Sequence, residues 1–209
     1  MRITVCELPD EATRMESAWA ELVRYLRGRP TDVVVLPEMP FCEWKMFQRQ
    51  SVDLAEWRVA LAAHDVMLPR FAELESQLVL SSRPVEVAGR RLNQAFSWTR
   101  ESGYRAEIGR RGGQLIAAPR ATGGHRRWSM AACLAANMAG CFVASANRRS
   151  YNSDAFAGRS WLVSPEGEIM LETSADEPFL TSEIDLSVVE RARQTYPRNL
   201  NIPAPKAGG

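Results

Sequence analysis

Val33-Val34-Val35-Leu36 is a run of four apolar residues, three of them β-branched, closed off by Pro37. Such a run is too short for a helix and has no polar face, so it reads as a strand buried on both sides. A strand of that kind needs a covering layer above and below, which restricts the chain to a sheet enclosed by other elements. The segments Leu78–Ser82, Gln114–Ala118 and Phe142–Ala146 are short apolar runs of the same type, bounded by turn residues. Further strands are expected at Arg2–Leu8, Leu92–Trp98, Ser160–Val163, Glu168–Glu172 and Phe179–Asp185, with Ser164-Pro165-Glu166-Gly167 as a hairpin turn.

Helical periodicity alternates with these strands. Met15, Ala18, Trp19, Leu22, Val23 and Leu26 recur at three and four until Gly28 and Pro30 stop them. Asp53 to Leu74 carries Leu54, Trp57, Leu61, His64, Leu68 and Phe71 on one stripe, with Pro69 marking a kink or break, and Arg127–Ala139 gives another helix. The 209 residues suffice for one large core. The expectation is a single layered α/β domain over residues 1–185 and a tail over 186–209 that contains Pro197, Pro203 and Pro205.

Charge and cysteine usage exclude several classes. The 26 basic and 25 acidic residues mix along the chain to a net charge of +1, which gives no field for nucleic acid or an anionic membrane. No apolar run reaches the 18 or so residues needed to cross a bilayer. The four cysteines, Cys6, Cys42, Cys133 and Cys141, form no CxxC pair, and Met1 leads straight into a strand, so a reducing, cytoplasmic setting is expected. With His64 and His125 the only histidines, no metal or cofactor is expected. His64, on the stripe with Trp57 and Leu61, reads as a hydrogen-bonded interior residue.

One carboxylate stands out by its place. In Val33-Val34-Val35-Leu36-Pro37-Glu38-Met39-Pro40-Phe41 a buried strand delivers Glu38 at its C-terminal end, where open α/β sheets put their sites. Alone, a glutamate there is an ordinary turn residue. It is followed, in order, by Gly112-Gly113-Gln114-Leu115-Ile116-Ala117-Ala118-Pro119-Arg120-Ala121-Thr122, then Arg127-Trp128 and its helix, then Phe142-Val143-Ala144-Ser145-Ala146-Asn147-Arg148, then Gly158-Arg159-Ser160-Trp161-Leu162-Val163-Ser164-Pro165-Glu166-Gly167. That ordered set resembles the nitrilase superfamily, the carbon-nitrogen hydrolases, from the first strand to about Asp185. The resemblance implies an αββα sandwich, association as a homodimer, and a Glu-Lys-Cys triad in which Glu38 matches the general base. In that chemistry the glutamate takes the thiol proton, the cysteine attacks an amide, nitrile or carbamoyl carbon, and the lysine steadies the developing charge.

The chain departs from the family where the lysine and cysteine are expected. Gly103-Tyr104-Arg105-Ala106 is similar to the approach to the lysine, yet Ile108 to Gly113 already matches the far end of the helix that follows the cysteine, which implies an internal deletion near 106–107. No lysine lies between Lys45 and Lys206, and no cysteine between Cys42 and Cys133. The sandwich would therefore be incomplete and its chemistry impaired. Two other readings stay open: a binding or scaffold module that keeps the pocket around Glu38, and a hydrolase rebuilt on Glu38, Cys42 and Lys45. Against the latter, Cys42 also reads as a small apolar group and Lys45 as a surface charge, because a reactive thiolate needs a placed base.

Overall fold

The computed structural model describes residues 1–44, 53–106 and 113–195, and its two sheets meet at the first strand. β1 (Arg2–Pro9) pairs along Ile3–Val5 with β2 (Val33–Val35) in parallel and along Arg2–Cys6 with β10 (Phe179–Glu183) antiparallel. Its last residues, Glu7–Pro9, turn to the other sheet and pair in parallel with β7 (Phe142–Arg149). The first sheet continues from β2 through β3 (Leu78–Val87) and β4 (Arg90–Thr99) to β5 (Gly103–Ala106). The second sheet holds β6 (Leu115–Arg120), β7, β8 (Trp161–Val163) and β9 (Ile169–Glu172).

The apolar run Val33–Leu36 explains the layering. Val34 and Leu36 face outward onto Trp19, Leu22 and Leu26 of α1 (Ala12–Leu26) and onto Phe71 and Leu74 of a 3-10 helix (Pro69–Leu74). Val33 and Val35 face the opposite way and join Ile3, Val5, Phe142, Ala144 and Leu162 between the sheets. On the far side Val143, Trp161 and Val163 are covered by Ala132 and Ala136 of α3 (Arg127–Ala139). The order is helix, sheet, sheet, helix, the expected αββα sandwich. Each fully buried Val or Leu contributes about 1.5–3 kcal/mol, so a strand buried on both faces is worth more to the fold than any surface strand of its length.

All four apolar runs are strands, and Pro69 ends α2 (Leu54–Met67) as anticipated, restarting the chain as the 3-10 helix. Three features were not anticipated. The β3–β4 hairpin runs to Val87 and Arg90, closed by Ala88 (φ 50°) and Gly89 (φ 71°), whose left-handed pair matches strand twist. β5 is a paired strand. Ser187–Ala192 forms α4, whose Val189 is buried in the cluster between the sheets. The expected deletion boundary after Ala106 and the proline-bearing residues 197–205 lie outside the described residues.

Candidate active site

Glu38 emerges from the end of β2 half-buried, and three elements converge on it. Asn93 on β4 donates its side-chain amide to Glu38 Oε1 at 2.7 Å. The Ala121 backbone amide, just after β6, also donates to the carboxylate. The Glu38 amide itself donates to Arg120 O at 3.3 Å. Burial holds the Glu38 carboxyl above its ordinary range, opposed by the Asn93 bond, the Arg148 charge and the Ala121 amide. A raised carboxyl is a stronger base than a solvated one, the property wanted in a group that accepts a proton near neutral pH.

The turn after Glu38 is tightly specified. Met39 is buried with φ 37°, a left-handed conformation that costs a non-glycine residue about 1–3 kcal/mol. Ser82 Oγ accepts from the Met39 amide at 3.2 Å, and Ser81 Oγ donates to Pro37 O at 2.8 Å, so β3 clamps the turn from one side. From the other side comes Arg148 of β7, whose side chain is fully buried. Its guanidinium donates to Met39 O at 2.5 Å, to Glu38 O at 3.4 Å and to Cys42 O, and pairs with Asp10 Oδ1 at 2.6 Å. Trp44 and Phe156 flank it at 5.6 and 5.8 Å from their ring centres.

Neighbouring Asn147 fixes the opposite wall. Its side chain donates to Thr122 O at 2.9 Å and Gly158 O at 2.6 Å and accepts from the Thr122 amide at 3.0 Å. Gly158 has φ 64°, and a Cβ there would collide with the Glu7 carboxylate, so this position tolerates no side chain. Glu7 is buried and holds Arg149, the Arg159 amide and Thr173 Oγ1.

Cys42 is buried, donates its thiol to Met39 O at 3.5 Å, and has its pKa pushed up to about 11 by burial despite the nearby Arg148 charge. It lines a groove of about 510 Å³ between α1 and α2 with Met15, Phe41, Val66 and Met67, a lining that does not include Glu38. Lys45 lies outside the described residues. Cys6 is fully buried with its thiol pushed far up, Cys141 is buried, and Cys133 sits on α3. Among the described residues no group of three or more His, Cys, Asp or Glu side chains could hold a metal ion, and no helix is long and apolar enough to cross a membrane.

Sequence reasoning singled out Glu38 but not its partners Asn93, Ala121 and Arg148, nor the Asp10 that anchors Arg148. Arg148 carried a usable signal. It follows the largely apolar run Phe142–Ala146 near the end of β7, and a buried guanidinium requires a ring of acceptors that only a nearby loop can supply.

The carbon-nitrogen hydrolase family model matches residues 98–194. Solved structures share the fold: a carbon-nitrogen hydrolase from Helicobacter pylori G27 at 17% identity and TM-score 0.74, covering 95% of this chain and 94% of that one. Saccharomyces cerevisiae Nit3, a member of branch 10 of the nitrilase superfamily, aligns at 16% identity and TM-score 0.68, covering 94% of each chain. A cysteine-to-serine mutant of the Nesterenkonia AN1 amidase, also from the nitrilase superfamily, aligns at 16% identity and TM-score 0.68, covering 95% of this chain and 97% of that one. No curated protein sequence matches this chain.

Proposed function

We propose that this chain, which carries the carbon-nitrogen hydrolase pattern over residues 98–194 on the nitrilase-superfamily fold, is a catalytically impaired relative that keeps the general base Glu38 and has lost the nucleophile. The observation that carries the reading is in the sequence: no cysteine stands between Cys42 and Cys133 and no lysine between Lys45 and Lys206. A small amide, nitrile or carbamoyl compound reaching Glu38 would meet a base with no thiol to activate. Loss of one oxyanion stabiliser alone costs a factor of about 100 to 1,000 in rate, and here the attacking group is missing too.

The rebuilt site is the less supported reading. A thiol with its pKa near 11, turned onto the carbonyl of Met39, is a poor nucleophile at pH 7. We also place the protein in the cytoplasm as a homodimer. Free thiols suit a reducing compartment, and α3 turns Met130, Leu134 and Met138 outward, a face suited to a second copy.

The test is ammonia release from purified protein and a panel of short amides and nitriles at neutral pH. The expected result is no release above a boiled control. Sustained turnover that is abolished by Glu38→Gln would overturn the reading.

A further inference from the structure

We infer that Arg148 is the positioning residue for Glu38: its guanidinium gathers the backbone carbonyls of Glu38, Met39 and Cys42 and thereby fixes the turn that aims the Glu38 carboxylate at Asn93. The inference rests on the reading of Glu38 as the base, and deepens it.

Three observations carry it. One side chain, from a strand 109 positions away, reaches Met39 O at 2.5 Å, with Glu38 O and Cys42 O on the same fork. Only a planar guanidinium presents donors in a geometry that holds several acceptors at once, and a lysine ammonium in the same place does not. Second, the gathered turn contains Met39 at φ 37°, a conformation that persists only where surrounding contacts over-determine it. The acceptor Met39 O is at that residue itself. Third, Arg148 is an expensive way to fill a core. It is fully buried, its Nε has no hydrogen-bond partner, and buried ion pairs are often replaceable by apolar side chains with no loss of stability. A buried cation that grips three carbonyls beside the base serves the conformation of that base. Asp10 completes the device by anchoring the guanidinium at 2.6 Å while accepting from the Trp44 amide at 3.1 Å.

The discriminating variant is Arg148→Lys, which keeps the positive charge and removes the fork. Two signals report on Glu38 by NMR in the intact chain: the titration midpoint of its ¹³C-labelled carboxyl, and the side-chain amide resonances of Asn93. If Arg148 positions the turn, the variant shows the Glu38 midpoint falling back toward the ordinary carboxylate range as water reaches it, and the Asn93 amide protons lose their hydrogen-bonded shift. If Arg148 acts only as a charge or as core filling, a folded Arg148→Lys variant keeps both signals at wild-type values, and the inference is overturned. Should that variant not fold, Asp10→Asn carries the test. It frees the guanidinium from its anchor, both signals are expected to move in the same directions, and a folded Asp10→Asn protein with unchanged signals is equally fatal. These readouts are independent of turnover. Detected hydrolysis would remove the proposed loss of function and leave Arg148's role standing, whereas unmoved NMR signals would do the reverse.

Discussion

Half-buried Glu38 and buried His64 each tie the protein's stability to pH. Glu38 has its carboxyl raised by burial, so the folded state prefers the protonated form more than the unfolded chain does. Any stability linked to that preference is present below the ordinary glutamate pKa and is lost as pH rises through the raised value. Glu38→Gln keeps the shape and an acceptor for Asn93 without the buried charge. It should therefore raise the thermal midpoint at pH 7, with the gain shrinking as pH falls, as calorimetry of the pair across pH would show. A variant less stable than wild type at pH 7 would mean that the Asn93 and Ala121 bonds outweigh desolvation.

His64 works with the opposite sign. It is buried edge-on to Phe41 at 5.3 Å, with Nδ1 2.8 Å from Ala60 O, and desolvation lowers its pKa to about 4 from 6.5. Its contribution is full above pH 6.5 and lost as pH falls toward 4; at about 1.4 kcal/mol per factor of ten the whole amounts to about 3 kcal/mol. The acid-side slope of stability should be visibly shallower in His64→Leu than in wild type, and superimposable slopes would contradict this. The interior place of His64 was legible from its stripe with Trp57 and Leu61. The partners of Glu38 were not, because Asn93, Ala121 and Arg148 reach it from strands far apart in sequence, and no local period encodes which strands converge.

At the scale of elements, legibility followed burial. Val33–Val35 and Phe142–Arg149 are strands packed on both faces, announced by the apolar runs Val33–Leu36 and, apart from Ser145, Phe142–Ala146. β5 was missed because Gly103-Tyr104-Arg105-Ala106 has no alternating pattern, and its pairing comes from β4, not from its own residues. α4 was missed for its six-residue length. α3 was found to the residue, yet its outward face is unusual: Met130, Leu134 and Met138 are 55%, 63% and 57% exposed, and no charged residue follows Arg127 within the helix. Contiguous exposed apolar side chains on a surface helix mark an association site more often than chance. Leu134 points away from the sheet, so Leu134→Glu should leave the thermal transition within about 0.5 kcal/mol of wild type while converting a dimer to a monomer in light scattering. A wild-type protein that is already monomeric would contradict the proposed homodimer.

For the whole molecule, the layered α/β architecture could be read from strand and helix periodicity, while the resemblance to the carbon-nitrogen hydrolases came from the ordered motifs around Glu38, Gly112–Thr122, Phe142–Arg148 and Gly158–Gly167. The chemistry is a different matter, since a fold can persist after its reactive groups are gone. The turn carrying Glu38 is held by Arg148 and the Glu38 carboxylate by Asn93 irrespective of whether a nucleophile stands opposite. The central claim is that no thiol in this chain is served by that base. It is tested most directly by incubating the protein with short amides, whose carbonyl carbon a base-activated thiol attacks to form a thioester with release of ammonia, and mapping every cysteine for the acyl adduct by mass spectrometry. The account predicts that Cys6, Cys42, Cys133 and Cys141 gain no adduct whose yield depends on Glu38. An adduct on Cys42 that forms at pH 7 in the wild type and disappears in Glu38→Gln would contradict it.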